Sequence, residues 1–424
     1  MEALEFYSRG SRFMLNFVYT RICQKVQAVS HRWTYQEIPS PKNVVVLGGS
    51  YSGVHLAQRL TETLPTGYRA VLVERNSHFN HLFVFPRFGV VPGMEQGAFI
   101  PYGGIATTAP RGIFQHIQDS AVEITPTQVQ LASGKSIDYE YLAVATGSWQ
   151  PAPAKLTSTE KADACAEMRA SQHRIQNSSR IAVIGGGPVG VQVATDIKSY
   201  FPQKDVTLIH SRHQLLPNFG PRLHEFALQA LKKLQVNTVL GQRPKTVVDG
   251  VDDLVRSSTQ ETLAFQNGRR EVFDLVIRCT GQRPNSGILA HLYPSAVCKS
   301  TGQILVRPTL QIDAGAGSPV NPHLFALGDV AKTGAPRMER AARSQADVVT
   351  SNILSMINGQ SPSAIYRPVD EEGVIKLTLG KYDWAMYFKE ESGRELMVNG
   401  TSKSEDLDVR RAWINLGAKY DPST

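Results

Sequence analysis

The sequence predicts an α/β chain in which two parallel, helix-covered sheets are followed by a small α+β region. Three observations predict it. An apolar run, Val44-Val45-Val46-Leu47, opens into the turn Gly48-Gly49-Ser50-Tyr51-Ser52-Gly53 and then a helical period over 54–64. The same order recurs downstream, with an apolar run over 181–184, the turn Gly185-Gly186-Gly187-Pro188-Val189-Gly190 and a helix over 191–200. Three further apolar runs, over 141–145, 273–279 and 324–327, each end at or just before a glycine. Runs that are apolar throughout, rather than alternating, suit parallel strands covered on both faces. Two strand–glycine turn–helix units in one chain read as two Rossmann-like dinucleotide-binding domains.

At 424 residues the chain is too long for one ordinary core. A hydrophobic content of 42% against 19% charged residues excludes wholesale disorder. The four cysteines, Cys23, Cys165, Cys279 and Cys298, form no C-x-x-C or C-x-x-x-x-C pair. Cysteine-rich zinc sites and dithiol redox chemistry are therefore excluded, and a reducing compartment fits. The net charge of +8 arises from scattered bases, with Arg269-Arg270 and Arg410-Arg411 as the longest clusters. No nucleic-acid module accompanies them, so no nucleic-acid partner is expected. No metal-ligand cluster stands out, and no metal is expected.

Taken in order, residues 1–41 form an N-terminal helical segment. Met14, Val18, Ile22, Val26, Val29 and Trp33 recur at helical spacing, with Lys25 and Arg32 at the edge of the stripe. Three readings stay open for residues 1–38: a helix packed on the body, an interfacial membrane helix, or a mitochondrial presequence, against which Glu2 and Glu5 count. Residues 42–150 form the first part of the first domain, with a second strand over 70–73 ending at Glu74. A hairpin broken at Ser133-Gly134 is expected between Phe114 and Ala145. Residues 151–284 form the inserted domain and residues 285–360 complete the first. A helix is expected to start at Met338-Glu339-Arg340-Ala341, after the Gly328-Asp329 strand. Residues 361–424 form the C-terminal region, with a strand-like run over 374–379.

Each glycine turn lets backbone N–H groups at a helix N-terminus approach a pyrophosphate. In the first, Gly48, Gly49, Ser50 and Gly53 occupy the turn, Ser50 standing where a middle glycine is usual. Glu74 lies at the spacing of the acid that accepts hydrogen bonds from an adenosine ribose. The second turn is complete in Gly185, Gly187 and Gly190. Its ribose position falls at His210, followed by Ser211 and Arg212 instead of a carboxylate. A carboxylate there would repel a 2′-phosphate, whereas a Ser-Arg pair can donate to one, so NADPH use or tolerance of both coenzymes is expected over strict NADH. In the run ending Gly328-Asp329, the aspartate can accept a hydrogen bond from a flavin ribityl hydroxyl.

These segments, VVVLGGSYSGVHLAQRL, LVERNSHFNH, YLAVATG, IAVIGGGPVGVQVATDIK, VTLIHSR, CTGQRPN and LFALGDV, resemble the two-dinucleotide-binding-domain flavoproteins. Within them the chain is most similar to the AIF-like group, which includes the ferroptosis suppressor proteins, and more distantly to type II NADH:quinone oxidoreductases. The resemblance spans roughly residues 42–390. It implies an FAD domain split by an inserted NAD(P)H domain. Gly48, Ser50, Gly53 and Glu74 would then hold the FAD adenosine diphosphate, Thr146 and Gly147 would lie against FAD, and Asp329 would hold its ribityl chain. Gly185, Gly187 and Gly190 would hold the coenzyme pyrophosphate. Many relatives carry glutamate where this chain has Gln192, which puts a carboxylate-dependent role there in doubt.

The activity implied is hydride transfer from NAD(P)H to FAD, then electron transfer to a second substrate. Without a dithiol, that substrate is a quinone, dioxygen or a protein, and the resemblance places a quinone first. Two alternatives stay open: a flavoenzyme tailoring one specialised metabolite, and an AIF-like redox-signalling flavoprotein. The aromatic run Phe79 to Arg87 is either an acceptor-pocket wall, with His81 and Arg87 as site bases, or core. The state is monomer or homodimer. The compartment stays open between cytoplasmic and membrane- or mitochondrion-associated, since residues 1–38 support more than one.

Overall fold

A computed structural model of the chain describes residues 2–247, 260–315 and 320–421. The first strand, Lys42–Leu47, lies at the centre of a five-stranded parallel sheet. Its neighbours are Tyr68–Glu74 and Tyr141–Val144, with Phe114–Gln118 and Leu324–Ala326 at the edges. Both faces of the first strand are buried. Val44 and Val46 join one core with the helices, and Val45 and Leu47 join the other. That is why the run is apolar throughout. The helix Tyr51–Thr61 packs against the helix Glu339–Ile357 over the first of these cores.

The inserted domain repeats the plan with four parallel strands, in the order Asn237–Val239, Asp205–Ile209, Arg180–Ile184 and Leu275–Arg278. Each domain carries a three-stranded antiparallel meander. One is Ala121–Ile124, Gln128–Leu131 and Ser136–Asp138; the other is Lys245–Val247, Glu261–Ala264 and Arg270–Phe273. The hairpin expected between Phe114 and Ala145 is therefore one strand of the parallel sheet followed by a meander. The 273–279 run also divides. Asp274 turns out of register because its carboxylate accepts the N–H groups of Ser179 and Arg180, at 2.9 and 2.8 Å.

The two crossings between the domains lie side by side. Ser148–Trp149 pairs antiparallel with Arg283–Pro284. Beyond residue 361, the strands Ile375–Leu379, Asp383–Lys389 and Glu395–Thr401 form an antiparallel sheet. Leu377, Leu379 and Tyr387 of that sheet enter the core of the inserted domain. The N-terminal segment is one helix, Glu2–Thr34. No helix among the described residues is long and apolar enough to cross a membrane.

Candidate functional site

The two glycine turns are built alike, atom by atom. Gly48 has φ +101°, and a side chain there would strike the Ala145 carbonyl at 2.5 Å. Gly185 has φ +123° and would strike the Cys279 carbonyl at 2.7 Å. A Cβ on Gly53 would sit 1.8 Å from the Gly48 oxygen, and one on Gly190 the same 1.8 Å from that of Gly185. Each turn thus passes closely over the end of a neighbouring strand and enters its helix with no room for a methyl group. Ser50 is tolerated because its backbone, with φ −86°, is extended.

In the first turn the Gly49 N–H donates to Glu74, whose other oxygen accepts from the Asn76 N–H at 2.9 Å. The Tyr102 hydroxyl donates to the Gly49 carbonyl at 2.7 Å. In the second turn His210 takes the place of Glu74. Its Nδ1 accepts the Gly186 N–H at 3.1 Å, so the neutral ring carries its proton on Nε2, which has no hydrogen-bond partner. Burial lowers the His210 pKa and Arg212 lowers it further, against the Gln214 carbonyl. A neutral N–H therefore stands where the first turn has a carboxylate. Ser211 and Arg212 follow it, exposed, with the Arg212 carbonyl held by the Gly241 N–H at 3.1 Å.

The Gly328-Asp329 turn closes onto the first of these cradles. Gly328 has φ +75°, its N–H donates to Gln345 at 2.7 Å, and a Cβ there would meet the Ser52 hydroxyl at 2.1 Å. Asp329 accepts from Ser148 and from Gln282, each at 3.1 Å. Thr146 and Gly147 are fixed by Asn285, which donates to the Thr146 carbonyl at 2.8 Å and whose N–H donates to that of Gly147 at 2.9 Å. One residue escaped the sequence reading. The Lys155 amine donates to the Ser148 carbonyl. Burial lowers its pKa; Asp329 opposes this most, Arg75 adds to the lowering, and Glu74 opposes it least. This amine therefore feels the carboxylates of both Glu74 and Asp329, and no sequence motif marks it.

Beside the first turn, Tyr51 stands against Phe79 and Phe83, with ring centroids 5.0 and 4.9 Å away, and shares a hydrogen bond of 3.0 Å with His81 Nδ1. Burial pushes His81 down to about 4 against the pull of Glu339, and burial followed by Glu339 pushes Tyr51 well up. Phe83 is 49% exposed, so the aromatic cluster reaches the surface at that ring. The neighbouring His78 is also pushed down to about 4, again chiefly by burial. A depressed folded-state pKa contributes stability that is present above the unfolded value of 6.5 and lost as pH falls through about 4. The melting temperature should therefore fall across that window. It should fall less in a His78→Gln/His81→Gln double variant, and parallel melting curves for the two proteins would contradict this.

Two expected site residues have partners in the C-terminal sheet and the interior. Arg87 is 2% exposed and donates to Asp196 at 3.0 Å and to the Gly380 carbonyl at 2.6 Å. It belongs to the interior rather than to an acceptor-pocket wall, because its guanidinium is committed to groups in the inserted domain and the C-terminal sheet. Gln192 donates to the Thr378 hydroxyl at 2.9 Å, which ties the second cradle's helix to that same sheet. All four cysteines are free, and Cys165 is buried. No cluster of metal ligands is found among the described residues.

Two cradles that a Cβ would fill, a carboxylate and a ring nitrogen that accept their N–H groups, and a Gly-Asp turn closing on the first fit a two-nucleotide oxidoreductase that uses FAD and NAD(P)H. The family model for pyridine nucleotide-disulphide oxidoreductases matches residues 42–347, and the chain belongs to that family. It is 34% identical over 405 residues to Fe-regulated protein 8 of Mycosarcoma maydis, covering 90% of this chain and 96% of the relative. It is 28% identical over 381 residues to human ferroptosis suppressor protein 1, covering 88% and 95%. Among solved structures, the sulfide:quinone oxidoreductase of Aquifex aeolicus shares the fold. That match has a TM-score of 0.67 at 16% identity and covers 88% of this chain and 90% of the other.

Proposed function

We propose that the protein transfers hydride from NAD(P)H to FAD and passes the electrons to a quinone. When bound, FAD accepts hydride at its ring and releases electrons singly or in pairs, which is chemistry no side chain supplies. In this reading Gly48, Gly49, Ser50, Gly53 and Glu74 hold the adenosine diphosphate half of FAD. Lys155 neutralises its diphosphate, Thr146 and Gly147 lie against it, and Gly328 and Asp329 take the ribityl chain. Gly185, Gly187 and Gly190 hold the coenzyme diphosphate, with His210, Ser211 and Arg212 at its ribose.

The observation that carries the quinone reading is the Tyr51–His81–Phe83 cluster. It is aromatic, it reaches the surface at Phe83 beside the first cradle, and no cysteine pair stands there to take electrons instead. Flat apolar acceptors stack on such rings. The Tyr51–His81 hydrogen bond can position a proton for the reduced acceptor. A quinone with an isoprenoid tail dissolves in lipid, so peripheral membrane contact through residues 1–38 belongs with this reading. Anaerobic stopped-flow mixing tests it. NAD(P)H should bleach the flavin, and a short-chain ubiquinone should restore its colour within a turnover. Bleaching without recovery would remove the quinone and point to a dedicated metabolite.

The coenzyme preference has its own test. Arg212→Gln should lower kcat/KM for NADPH about 10- to 100-fold relative to NADH, the range expected for losing a hydrogen bond to a charged group. An unchanged NADPH:NADH ratio would show that Arg212 does not touch the 2′-phosphate.

A further inference from the structure

The N-terminal helix is mounted through Phe6, Phe17 and Gln24, with most of its other apolar residues outward. Its 33 residues span ~50 Å. It is tied down at three places along that length. Near its start, Phe6 is 4% exposed among Phe388, Leu396 and Val398, flanked by ion pairs from Glu5 to Arg394 and from Arg9 to Glu390. In the middle, Gln24 donates to Asp347 at 2.9 Å, and the Arg343 guanidinium lies 5.8 Å from the Phe17 ring. Near its end, His31 Nε2 meets the Leu64 carbonyl at 2.7 Å. The helix is thus packed on the body, but through the side opposite the apolar stripe.

That stripe faces outward, with Met14 49%, Val18 43% and Val29 53% exposed, and its most exposed row includes the neighbouring Leu15 and Tyr19. Leu15 is 70% exposed, Tyr19 68%, Ile22 56%, Val26 65% and Trp33 87%. At ~100° per residue these five fall within a ~60° arc of the helix, on the side away from Phe6, Phe17 and Gln24. Single exposed apolar residues are ordinary, but a continuous row of them along one helix is an interaction surface. Its edges are basic. Arg12, Lys25 and Arg32 are exposed, and between Arg9 and Thr34 the helix has no acidic residue.

We infer that this outward face docks on an anionic membrane surface, with the helix lying in the plane of the headgroups. The inference rests on the quinone reading for its purpose, though not for its geometry. An apolar row with basic edges and interfacial aromatics such as Tyr19 and Trp33 is the pattern of a helix that lies on lipid. A second copy of the helix fits the face less well, because it would bring Lys25 and Arg32 of both copies into one desolvated seam without an acid to pair them. Docking also orients the acceptor site. Phe17 rests on Arg343, Arg343 is paired with Glu339 at 2.6 Å, and Glu339 is the carboxylate that acts on Tyr51 and His81. The helix is thus linked through Arg343 and Glu339 to the Tyr51–His81 pair.

The test is cosedimentation of the FAD-loaded full chain with vesicles of phosphatidylcholine alone or mixed with phosphatidylserine, beside size measurement in solution. The wild type should pellet with phosphatidylserine vesicles, and added salt should weaken that binding. Ile22→Glu/Val26→Glu should lower the partition coefficient at least ~10-fold. It should leave FAD content, melting temperature and turnover of a water-soluble quinone unchanged, since neither residue touches the body. Lys25→Gln/Arg32→Gln should lose the preference for phosphatidylserine. Wild-type protein that ignores both vesicles, or an Ile22→Glu/Val26→Glu variant that binds as well as wild type, overturns the inference. So does a wild-type dimer that this variant converts to a monomer, because the face would then belong to a second copy. Vesicle binding without turnover of any quinone leaves the docking face standing and removes the quinone reading. Quinone turnover without vesicle binding does the reverse.

Discussion

Replacing Arg87 with methionine is expected to lower the unfolding free energy by about 3–5 kcal/mol, the usual cost of stranding one charge of a buried pair. Asp196 is fully buried, and only one of its oxygens is satisfied, by Arg87. Burial already raises its pKa to about 6, against the lowering effect of Arg87. Without Arg87 the lowering is lost, so the carboxyl should protonate at higher pH instead of remaining an unpaired charge. The deficit in denaturant midpoint should then be larger at about pH 8 than at about pH 5. An Arg87→Met/Asp196→Leu double variant should recover much of it, because an apolar pair removes the stranded group. A deficit that ignores pH, or a double variant as unstable as the single, would show that the cost comes from the Gly380 and Glu405 backbone contacts of Arg87. The second of these is a donation to the Glu405 carbonyl at 3.5 Å.

A methyl group on either helix glycine should separate the two halves of the reaction. Gly53→Ala and Gly190→Ala each place a carbon 1.8 Å from a carbonyl oxygen of the same turn, so the turn must open. Misplacing a binding group by about an ångström costs on the order of 100-fold. Gly53→Ala should therefore weaken FAD retention by about that factor and yield pale protein. Gly190→Ala should stay yellow, yet bleach with NAD(P)H about 100-fold more slowly, whichever coenzyme is used. Absorbance ratios and anaerobic stopped-flow traces read both. If Gly190→Ala loses its flavin while Gly53→Ala keeps it, the assignment of the cradles is reversed.

What the sequence shows plainly is whatever local backbone demands fix. The glycines of both turns, the continuous apolar runs and the strand ending at Asp329 are each forced by contacts within a few residues or by burial on both faces. Glu74 was legible as a ribose-site acid, but its grip on the Gly49 N–H was not. His210 was visible only as a missing carboxylate, although it bonds the Gly186 N–H as Glu74 bonds that of Gly49. Partners distant in sequence were out of reach. Arg87 looked like a site base because nothing in its neighbourhood announces Asp196, and Gln192 gives no hint of Thr378. The N-terminal stripe was visible, but a wheel shows where apolar residues gather and not which side meets the protein. Here Glu5, Arg9 and Gln24 found partners on the body, so the apolar side was left outward.

The edge strand Leu324–Ala326 pairs with Tyr141–Val144, although the whole inserted domain lies between them in sequence. Synthesis proceeds from the N-terminus, so the ribosome delivers the inserted domain as one uninterrupted stretch while the first sheet still lacks that strand. The inner sheet can pair early, although its core is completed only by Leu377, Leu379 and Tyr387 of the C-terminal sheet. The outer sheet must wait for a segment made late. Asp329 follows directly on that late strand. The strands of the second cradle are thus all synthesised before the first cradle has its last strand, and the Gly328-Asp329 turn joins it only when that strand docks.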